Sequence, residues 1–506
     1  MKRKNRRLKY ALTTLLALCL ALTAITGSVS AATGVNVETP TQEQIRERFQ
    51  QIYADHDFKV TYSQKPVVTG PGYVAGALSD ETLNGALDML NGMRYIAGIS
   101  SDVKLDAYYT QLAQAGALVN AANDEMSHSP KKPSGMDDGL YQLGLKGCGS
   151  SNLYWNVSNF KSAVEGWISD ERNRSGFNQG HRRWCLNPTM QYTGFGKAGA
   201  YSVMYAFDHS IEQSSTVVPW PAQQMPLEFF NPDVAWSVSF GRTVNAGSTS
   251  VTLTRTRDNK VWNFSSSASD GKFLVENSRY GQPGCVIFLP EDVEMYLPGD
   301  VFHVQIKENG SIIADYDVTF FELQPVEKIT LNYTTLKMAE GSSKKLTAKV
   351  YPANASDTDV YWESSNSKVV SVYDGYLNAG KKGSAVITAK NKYGNVIATC
   401  KVNVLTYKDY YKPSKATIKS VSSSKDHSIK VSWKQVDCTG YQIRYSTSSS
   451  FKNYKTVKVS NKATLNKTIK SLKKGKTYYV KVRAYRYRYG EYFYGSFSSV
   501  KKVRCK

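Results

Sequence analysis

The residues best suited to chemistry in this sequence are two histidines, His128 and His181. A carboxylate is available at Asp170 or at its neighbour Glu171. Two imidazoles and one carboxylate can form an open site for Zn²⁺ or a similar divalent metal, with water in the remaining position. Such a water is more acidic than bulk water and can attack a carbonyl group. These residues suggest either a metal-dependent hydrolase or a polar binding cleft.

The spacing of the two histidines does not by itself place them together. They lie 53 residues apart and follow no metalloprotease pattern. The alternative is that each is a neutral histidine hydrogen-bonded to buried backbone. The sequence contains no cysteine–histidine signature, phosphate-binding loop or serine nucleophile motif that would indicate another reaction. Sequence alone leaves both interpretations of the histidines open.

Helical periodicity surrounds these residues. Amphipathic segments predict helices after a capping box at Thr41 and Gln44, from Asp80, from Leu105 towards His128, and from Phe160 to about Glu171. From about residue 194 the hydrophobic period becomes two, and beyond residue 219 nearly every segment reads as a strand bounded by turn residues. Helices first and strands afterwards indicate separate domains.

The helix-rich segment, residues 81–210, resembles the CAP superfamily (cysteine-rich secretory, antigen 5 and pathogenesis-related proteins). The resemblance rests on the order and spacing of three groups of motifs: LNGMRYIAGI with LDAYYTQLAQAGALVNA and MSHSP, then AVEGWISDERN, then GHRRWCLNP followed by TGFG. It implies an α-β-α sandwich whose central cleft gathers two histidines and, in many members, two acidic residues.

Carried over residue by residue, the resemblance is incomplete. His128 and His181 match the two histidines, and Asp170 with Glu171 beside it matches one acidic position. Ser151 stands where the second acidic residue, a glutamate, is expected. The loss of that carboxylate removes a metal ligand or a base, so the resemblance favours binding over catalysis. The cofactor stays open, and a divalent metal such as Zn²⁺ is the candidate that these residues suggest.

Six cysteines lie beyond the N-terminal segment. They are too sparse for a disulfide scaffold, although an exported protein can form disulfides. Cys148 and Cys185 lie near the two halves of the suspected cleft, and we expect a disulfide between them, with two buried free thiols as the alternative. Cys438 and Cys505 are expected at opposite poles of their domain and therefore unbonded.

Two further domains are expected after the CAP-like segment. Residues 325–406 resemble a bacterial Ig-like group 2 domain, on the stretches ITLNYTTLKMAEGSSKKLTAKVYP, VYWESSNSKVVSV and GSAVITAKNKYGNVIATCKVNV. Residues 413–505 resemble a fibronectin type III domain, on IKVSWK, GYQIRYS and LKKGKTYYVKVRAY, and Tyr478 in the last of these predicts a tyrosine corner. Residues 211–324 form a β-rich extension without a recognisable relative.

The N-terminal residues indicate export. Six basic residues precede an apolar run and a small-residue cleavage site, which is typical of a signal peptide over residues 1–32. Residues 33–80 then provide a helix and a connector. No later stretch is long and apolar enough to span a membrane, so we expect a secreted, extracellular protein, soluble or held non-covalently at a cell wall.

The charge of the chain is concentrated at one end. The net charge is +22, yet residues 412–506 alone contain 24 Lys or Arg and three Asp or Glu. A fold does not require such a field, so the charge suggests a polyanionic partner such as a wall polymer or anionic glycan, and nucleic acid is not expected. The alternative is a lysine-rich surface that only aids solubility.

One loop of the last domain mixes cations with aromatic rings, a combination that suits sugars and phosphates. The residues are Tyr485, Arg486, Tyr487, Arg488, Tyr489 and Tyr492. Cross-strand pairing in a hairpin explains the same alternation equally well.

The sequence therefore predicts a multi-domain protein: an α-β-α CAP domain followed by all-β sandwiches of Ig-like and fibronectin type III kind. The expected function is a secreted surface or wall-associated binding protein that displays its CAP domain on β-sandwich spacers. Metal-dependent hydrolysis of protein or wall polymer is the alternative, and lipid or sterol binding is a second alternative that comes from the resemblance alone.

Overall fold

The computed structural model describes residues 39–171, 176–212 and 216–506. The predicted signal peptide lies outside these residues. The chain divides into two compact units, Met1–Gln324 and Pro325–Lys506. The first mixes helices with sheets, and the second is built from sheets with one short helix. Among the described residues, no helix is long and apolar enough to cross a membrane.

The longer helices of the first unit begin at polar residues that cap the first turn. Thr41 accepts a hydrogen bond from the backbone of Gln44, whose side chain accepts one from the backbone of Thr41, which confirms the predicted capping box. The helices are α1 (Gln42–Asp55), α2 (Asp80–Ile96), α3 (Ala107–Asn123), α4 (Asp138–Gly149), α5 (Phe160–Ser169) and α6 (Gly180–Cys185).

Two helices differ from the sequence prediction. α3 ends before His128 because Asp124 adopts a left-handed conformation with φ of 49°. α4 was not predicted, because its several glycines weaken the helical pattern. Those glycines allow close packing: a Cβ atom at Gly147 would come within 2.0 Å of the carbonyl oxygen of Leu112 in α3.

A small antiparallel sheet packs against the helices of this region. Its strand order is β4-β7-β6, and α3 packs against β6 and β7. The strands of this region are β1 (Tyr62–Gln64), β2 (Ala77–Leu78), β3 (Lys104–Leu105), β4 (Ser151–Trp155), β5 (Tyr192–Thr193), β6 (Phe195–Ala198) and β7 (Tyr201–Tyr205). Short pairs β1-β2 and β3-β5 lie beside it.

The β-rich extension forms two sheets, β13-β14-β10-β8 and β12-β11-β15-β16-β9. Trp236 is fully buried between them and contacts the rings of Phe230, Tyr296 and Phe320. This core is continuous with that of α1, α2 and α5. The strands are β8 (Val218–Trp220), β9 (Gln224–Pro226), β10 (Trp236–Ser239), β11 (Thr249–Arg255), β12 (Lys260–Ser265), β13 (Gly271–Glu276), β14 (Cys285–Pro290), β15 (Val301–Glu308) and β16 (Ser311–Phe321), with 3₁₀ turns at Leu227–Phe229 and Ala246–Ser248.

The second unit begins with a β-sandwich over its Ig-like segment. Its sheets are β18-β25-β24-β21, β19-β23-β22 and the pair β17-β20, around a core that includes Leu346, Ile387 and Val402. The strands are β17 (Lys328–Leu331), β18 (Thr335–Ala339), β19 (Ser343–Lys345), β20 (Ala348–Tyr351), β21 (Tyr361–Ser364), β22 (Val370–Tyr373), β23 (Tyr376–Ala379), β24 (Gly383–Lys390) and β25 (Ile397–Leu405).

A second sandwich follows, with Trp433 fully buried at its centre. Its sheets are β26-β27-β30 and β29-β28-β31, with β32 and β33 both paired to β31. The backbone N–H of Lys473 donates to the hydroxyl of Tyr478 at 2.9 Å, as a tyrosine corner requires. The strands are β26 (Ile418–Ser422), β27 (Ile429–Trp433), β28 (Gly440–Ser446), β29 (Lys455–Val459), β30 (Asn466–Ile469), β31 (Thr477–Arg488), β32 (Glu491–Tyr494) and β33 (Lys501–Arg504).

A single helical turn, α7 (Tyr407–Tyr411), links the two sandwiches. It packs against β18 and β25 of the first sandwich. Its rings at Tyr407 and Tyr411 contact Phe493 of the second sandwich, with centroid separations of 5.6 and 5.5 Å. Lys382 and Asp409 add an ion pair at 3.7 Å. The linker is therefore in contact with both sandwiches.

Candidate functional site

His181 is held by the carboxylate of Asp170. Asp170 ends α5 in a left-handed conformation, and its side chain accepts from the backbone N–H of His181 at 3.1 Å and from Nδ1 at 2.7 Å. Because an ionised carboxylate can only accept, Nδ1 carries the proton and Nε2 is left as the accepting nitrogen. The carboxylate is fully buried, whereas the imidazole is 21% exposed. The arrangement presents one basic nitrogen near the surface.

A buried cation lies behind this pair. Arg182 donates hydrogen bonds to the backbone carbonyls of Ile168, Ser169 and Ala235. Burial lowers the pKa of Arg182 to about 10, and the charge of Asp170 opposes that shift. The charge of Asp170 thus favours the charged form of Arg182, while its carboxylate holds the ring of His181.

His128 presents its ring in the same way. Its Nδ1 lies 2.8 Å from the carbonyl oxygen of Cys148, which can only accept, so Nδ1 is the donor and Nε2 is again the accepting nitrogen. His128 is exposed, in the loop after α3. Asn120 supports this loop by accepting from the backbone N–H of Ser127 at 3.0 Å.

One short segment, residues 148–152, is bonded to both histidines. His128 bonds to the carbonyl of Cys148, and the side-chain amide of Asn152 donates to the carbonyl of His181 at 3.0 Å. Ser151 lies between these two anchors, and its buried hydroxyl has no hydrogen-bond partner. The structure thus connects His128, Ser151 and His181 through the start of β4.

These residues do not fit a metal site. Asp170 is engaged by His181, and Glu171 accepts from the side-chain amide of Asn231 at 2.8 Å. Ser151 supplies a neutral hydroxyl in place of a carboxylate. Within residues 39–171, 176–212 and 216–506, no three His, Cys, Asp or Glu side chains are placed to hold a metal ion together. The expected Zn²⁺ site therefore finds no support in the geometry of these residues.

The expected disulfide between Cys148 and Cys185 is wrong, because both residues are buried free thiols. Each sulfur has its own polar neighbour: Cys148 Sγ donates to the carbonyl of Gly116 at 3.4 Å, and Cys185 Sγ accepts from Asn152 at 3.3 Å. Burial raises the pKa of the Cys148 thiol to about 12 and raises that of Cys185 further. Both thiols are therefore protonated and unreactive at neutral pH. Cys438 and Cys505 are free thiols as well.

The aromatic loop of the last domain is a hairpin between β31 and β32. Tyr487 pairs with Tyr492 across the strands at a ring separation of 4.6 Å, and Tyr485 is buried. Arg486 forms an ion pair with Asp437 at 2.5 Å. These contacts are the cross-strand pairs that a hairpin makes between alternating aromatic residues.

The tip of that hairpin borders an open cleft of about 910 Å³. Tyr489, at the turn, is 76% exposed, and its ring lies 6.2 Å from those of Tyr407 and Tyr411. Arg488 and Lys462 line the cleft together with Tyr411. Of the six residues named from the sequence, Arg486 and Arg488 line this cleft, and its rings are those of Tyr410 and Tyr411 in the linker.

The sequence prediction missed four cations on the outer face of the same sheet: Arg444, Lys458, Lys481 and Arg483. The alternation in YVKVRAY, which places Lys481 and Arg483 opposite the buried valines, was the available signal. The aromatic rings that these cations contact come from other segments and could not be assigned from sequence.

Comparisons with known proteins identify three domains. Residues 87–209 match the cysteine-rich secretory protein family (CAP), residues 325–402 the bacterial Ig-like domain (group 2), and residues 412–494 the fibronectin type III domain. The chain carries these three domains in this order. They confirm the predicted arrangement of a mixed α/β domain before β-sandwiches. The expected boundaries, 81–210, 325–406 and 413–505, stay predictions.

Solved structures give weaker likenesses. The chicken CNTN1 FN1–FN3 domains are 16% identical, covering 54% of this chain and 94% of that chain, with a TM-score of 0.17. Titin domains A168–A170 are 15% identical, covering 53% and 92%, with a TM-score of 0.17. The FN5 domain of Drosophila Lar is 23% identical, covering 18% and 96%, with a TM-score of 0.16. No curated protein matches the chain.

A CAP domain combined with Ig-like and fibronectin type III domains is typical of extracellular interaction proteins.

Proposed function

We propose that this protein is a secreted, wall-associated binding protein. Its fibronectin type III domain holds an anionic polymer of the cell surface, the Ig-like domain acts as a spacer, and the CAP domain is displayed for interaction with a partner. The observation that carries this proposal is the uneven distribution of charge along the chain.

Nearly all of the positive charge of the last domain is unpaired with acid. Residues 412–506 contain three acidic residues, and two of them already form ion pairs: Asp426 with Lys474 and Asp437 with Arg486. The surplus of cations produces a positive field over a small domain. Such a field attracts polyanions and accelerates their association. In an exported protein, the anionic polymers of the wall are the nearest partners of that kind.

Retention on isolated wall fragments of a Gram-positive bacterium tests the proposal. The full-length protein is expected to bind at low salt and to elute as NaCl approaches about 1 M, because salt at that concentration reduces the screening length to about 3 Å. Walls stripped of their anionic polymer serve as the matched control and are expected to retain little protein. Retention that is unchanged in molar salt, or equal on stripped walls, would contradict it.

A second candidate function is acid–base chemistry at the CAP domain, which the Asp170–His181 pair favours. A carboxylate that holds Nδ1–H leaves Nε2 available to accept a proton from a nucleophile, which is the role of a general base. Hydrolysis of a protein or wall-polymer substrate is then expected to persist in a chelator and to fall about 100-fold or more in His181→Gln. Activity that is unchanged in this variant would exclude the candidate.

A further inference from the structure

Four cations share one outer surface of the fibronectin type III domain. Arg444 on β28 is paired in register with Lys481 on β31, and Gln442 is paired with both Lys458 on β29 and Arg483 on β31. Neighbouring strands lie about 4.8 Å apart, and alternate residues about 7 Å apart along a strand. The four side chains, which we call the cation face, therefore start within a patch roughly 12 Å across.

Every member of the cation face lies over at least one aromatic ring. The closest distances to ring centroids are 4.3 Å from Arg444 to Tyr454, 4.2 Å from Lys458 to Tyr492, 3.9 Å from Lys481 to Phe451 and 3.8 Å from Arg483 to Tyr494. Phe497 lies below three of them at once, within 4.9 Å of Arg444, 4.8 Å of Lys481 and 4.6 Å of Arg483. The rings hold the cationic groups in defined positions.

No carboxylate neutralises these cations. In residues 325–506, all of which are described, the ion pairs involve other lysines and arginines. Arg483 donates to the neutral side chain of Gln442 at 2.7 Å. The buried Nε of Arg444 has no hydrogen-bond partner. The cation face therefore keeps its positive charge without a carboxylate partner. Lys458 donates to the hydroxyl of Tyr492, and the Nε of Arg444 is too buried to reach a ligand.

Lys481 and Arg483 lie close enough to other cations of this face for their charges to repel. Burial lowers the pKa of Lys481, and the charges of Arg444 and Arg483 lower it further. Burial and the charge of Arg444 likewise lower the pKa of Arg483. An anion bound over this surface would relieve that repulsion.

We propose that the cation face binds a linear polymer with repeated phosphodiester groups on a polyol backbone. This inference rests on the proposed function and names the surface and the ligand class. A cation paired with a carboxylate loses most of its attraction for a ligand, whereas a cation over a neutral ring is positioned and keeps its charge. The rings act here as neutral supports for four positioned cations.

The chemistry of the surface favours phosphate on a flexible backbone. The guanidinium fork can donate two parallel hydrogen bonds to a phosphate, and an ammonium adds a compact charge. Stacking of sugar rings needs open aromatic faces, and here the rings are already in contact with cations. Recognition through protruding anionic groups is therefore the mode that this surface supports.

The test measures the affinity of the full-length protein for purified poly(glycerol phosphate) by calorimetry at several salt concentrations. In the double variant Lys481→Gln with Arg483→Gln, the affinity is expected to fall about tenfold, and the slope of log K against log salt to decrease by about two. The matched control, Lys430→Gln with Lys467→Gln, removes the same charge from exposed positions on β27 and β30. Its affinity is expected to change about twofold at most, because only the long-range field is reduced.

Three results would overturn the inference: equal losses in the two double variants, tighter binding of a polyuronate with the same number of charges, or tighter binding of single-stranded DNA with the same number of phosphates. Lys481→Arg with Arg483→Lys keeps both charges and is expected to retain most of the affinity, which separates charge from folding. Normal binding of poly(glycerol phosphate) by both glutamine double variants, with walls that still release the protein in salt, would mean that only the assigned surface is wrong. If walls never retain the protein, the proposed function fails too.

Discussion

Arginine is used in opposite ways in the CAP domain and in the fibronectin type III domain. Arg94 of the CAP domain is fully buried, and its guanidinium donates to the carbonyls of Ser100, Cys185 and Asn187 at 2.8 to 2.9 Å. Arg444 lies between aromatic rings on a sheet surface. The first kind of arginine connects distant backbone segments, and the second kind presents charge outward. The contacts of a cation, rather than its presence in the sequence, decide whether it connects backbone segments or leaves its charge at the surface.

The largest expected effect is on folding. Arg182→Leu removes the donors to the carbonyls of Ile168, Ser169 and Ala235, and it removes the buried positive charge that Asp170 favours. We expect the CAP domain to lose about 3–5 kcal/mol of unfolding free energy. Urea denaturation followed by tryptophan fluorescence measures this loss. Arg483→Leu on the cation face is the matched control, and a similar loss there would erase the contrast between the two domains.

A smaller effect concerns the buried Lys197. Burial lowers its pKa to about 8, although its ammonium donates to the carbonyl of Val157 and the hydroxyl of Ser202. Between pH 8 and about 10.5 the unfolded chain binds this proton and the folded chain does not, so stability rises with pH in that window. Lys197→Met is expected to remove roughly 2–3 kcal/mol of that rise. Denaturation of both proteins at pH 7.5 and 10 checks it, and identical pH profiles would contradict it.

A third prediction concerns the aromatic rings under the cation face and their effect on binding affinity. Tyr494→Leu leaves every charge in place and removes the ring 3.8 Å from Arg483. Affinity for poly(glycerol phosphate) is expected to fall about two- to fivefold, because Arg483 is no longer held in position. The salt dependence should not change, since no cation is lost. Tyr333→Leu in the Ig-like domain removes a ring under Lys344 and is the control, with unchanged affinity expected. A change in the salt dependence of Tyr494→Leu would argue against a positioning role for this ring.

The smallest effect is expected at a surface ion pair. Lys474 and Asp426 are about 60% exposed, and their atoms lie 3.1 Å apart. Asp426→Asn should change stability by no more than about 0.5 kcal/mol, because water and salt screen such pairs. It should slightly strengthen polymer binding by adding to the positive field. Weaker binding in this variant would mean that field strength is not what attracts the ligand.

The sequence predicts the architecture better than the site. The domain order, the Thr41 capping box and the tyrosine corner at Tyr478 follow from local patterns that survive folding. α4 escaped prediction because its glycines serve packing against α3, which is a tertiary requirement. The disulfide expected for Cys148 and Cys185 failed because nearness along a suspected cleft says nothing about where two sulfur atoms point.

The candidate site shows the same limit. His181 and Asp170 could be chosen from sequence, but their direct hydrogen bond depends on the left-handed end of α5. The rings that support Arg444 come from Tyr454 and Phe497, 10 and 53 positions away in the chain. No local pattern connects such partners, because the sheet brings them together only after it forms.

The aromatic linker α7 has a mechanical consequence. The rings of Tyr407 and Tyr411 contact Phe493 in the hairpin of the fibronectin type III domain. The same helical turn packs against β18 and β25 of the Ig-like domain. A force applied to the fibronectin type III domain is therefore transmitted to the Ig-like domain through these contacts. We therefore expect the two domains to move as one body until the contacts between the linker rings and Phe493 break.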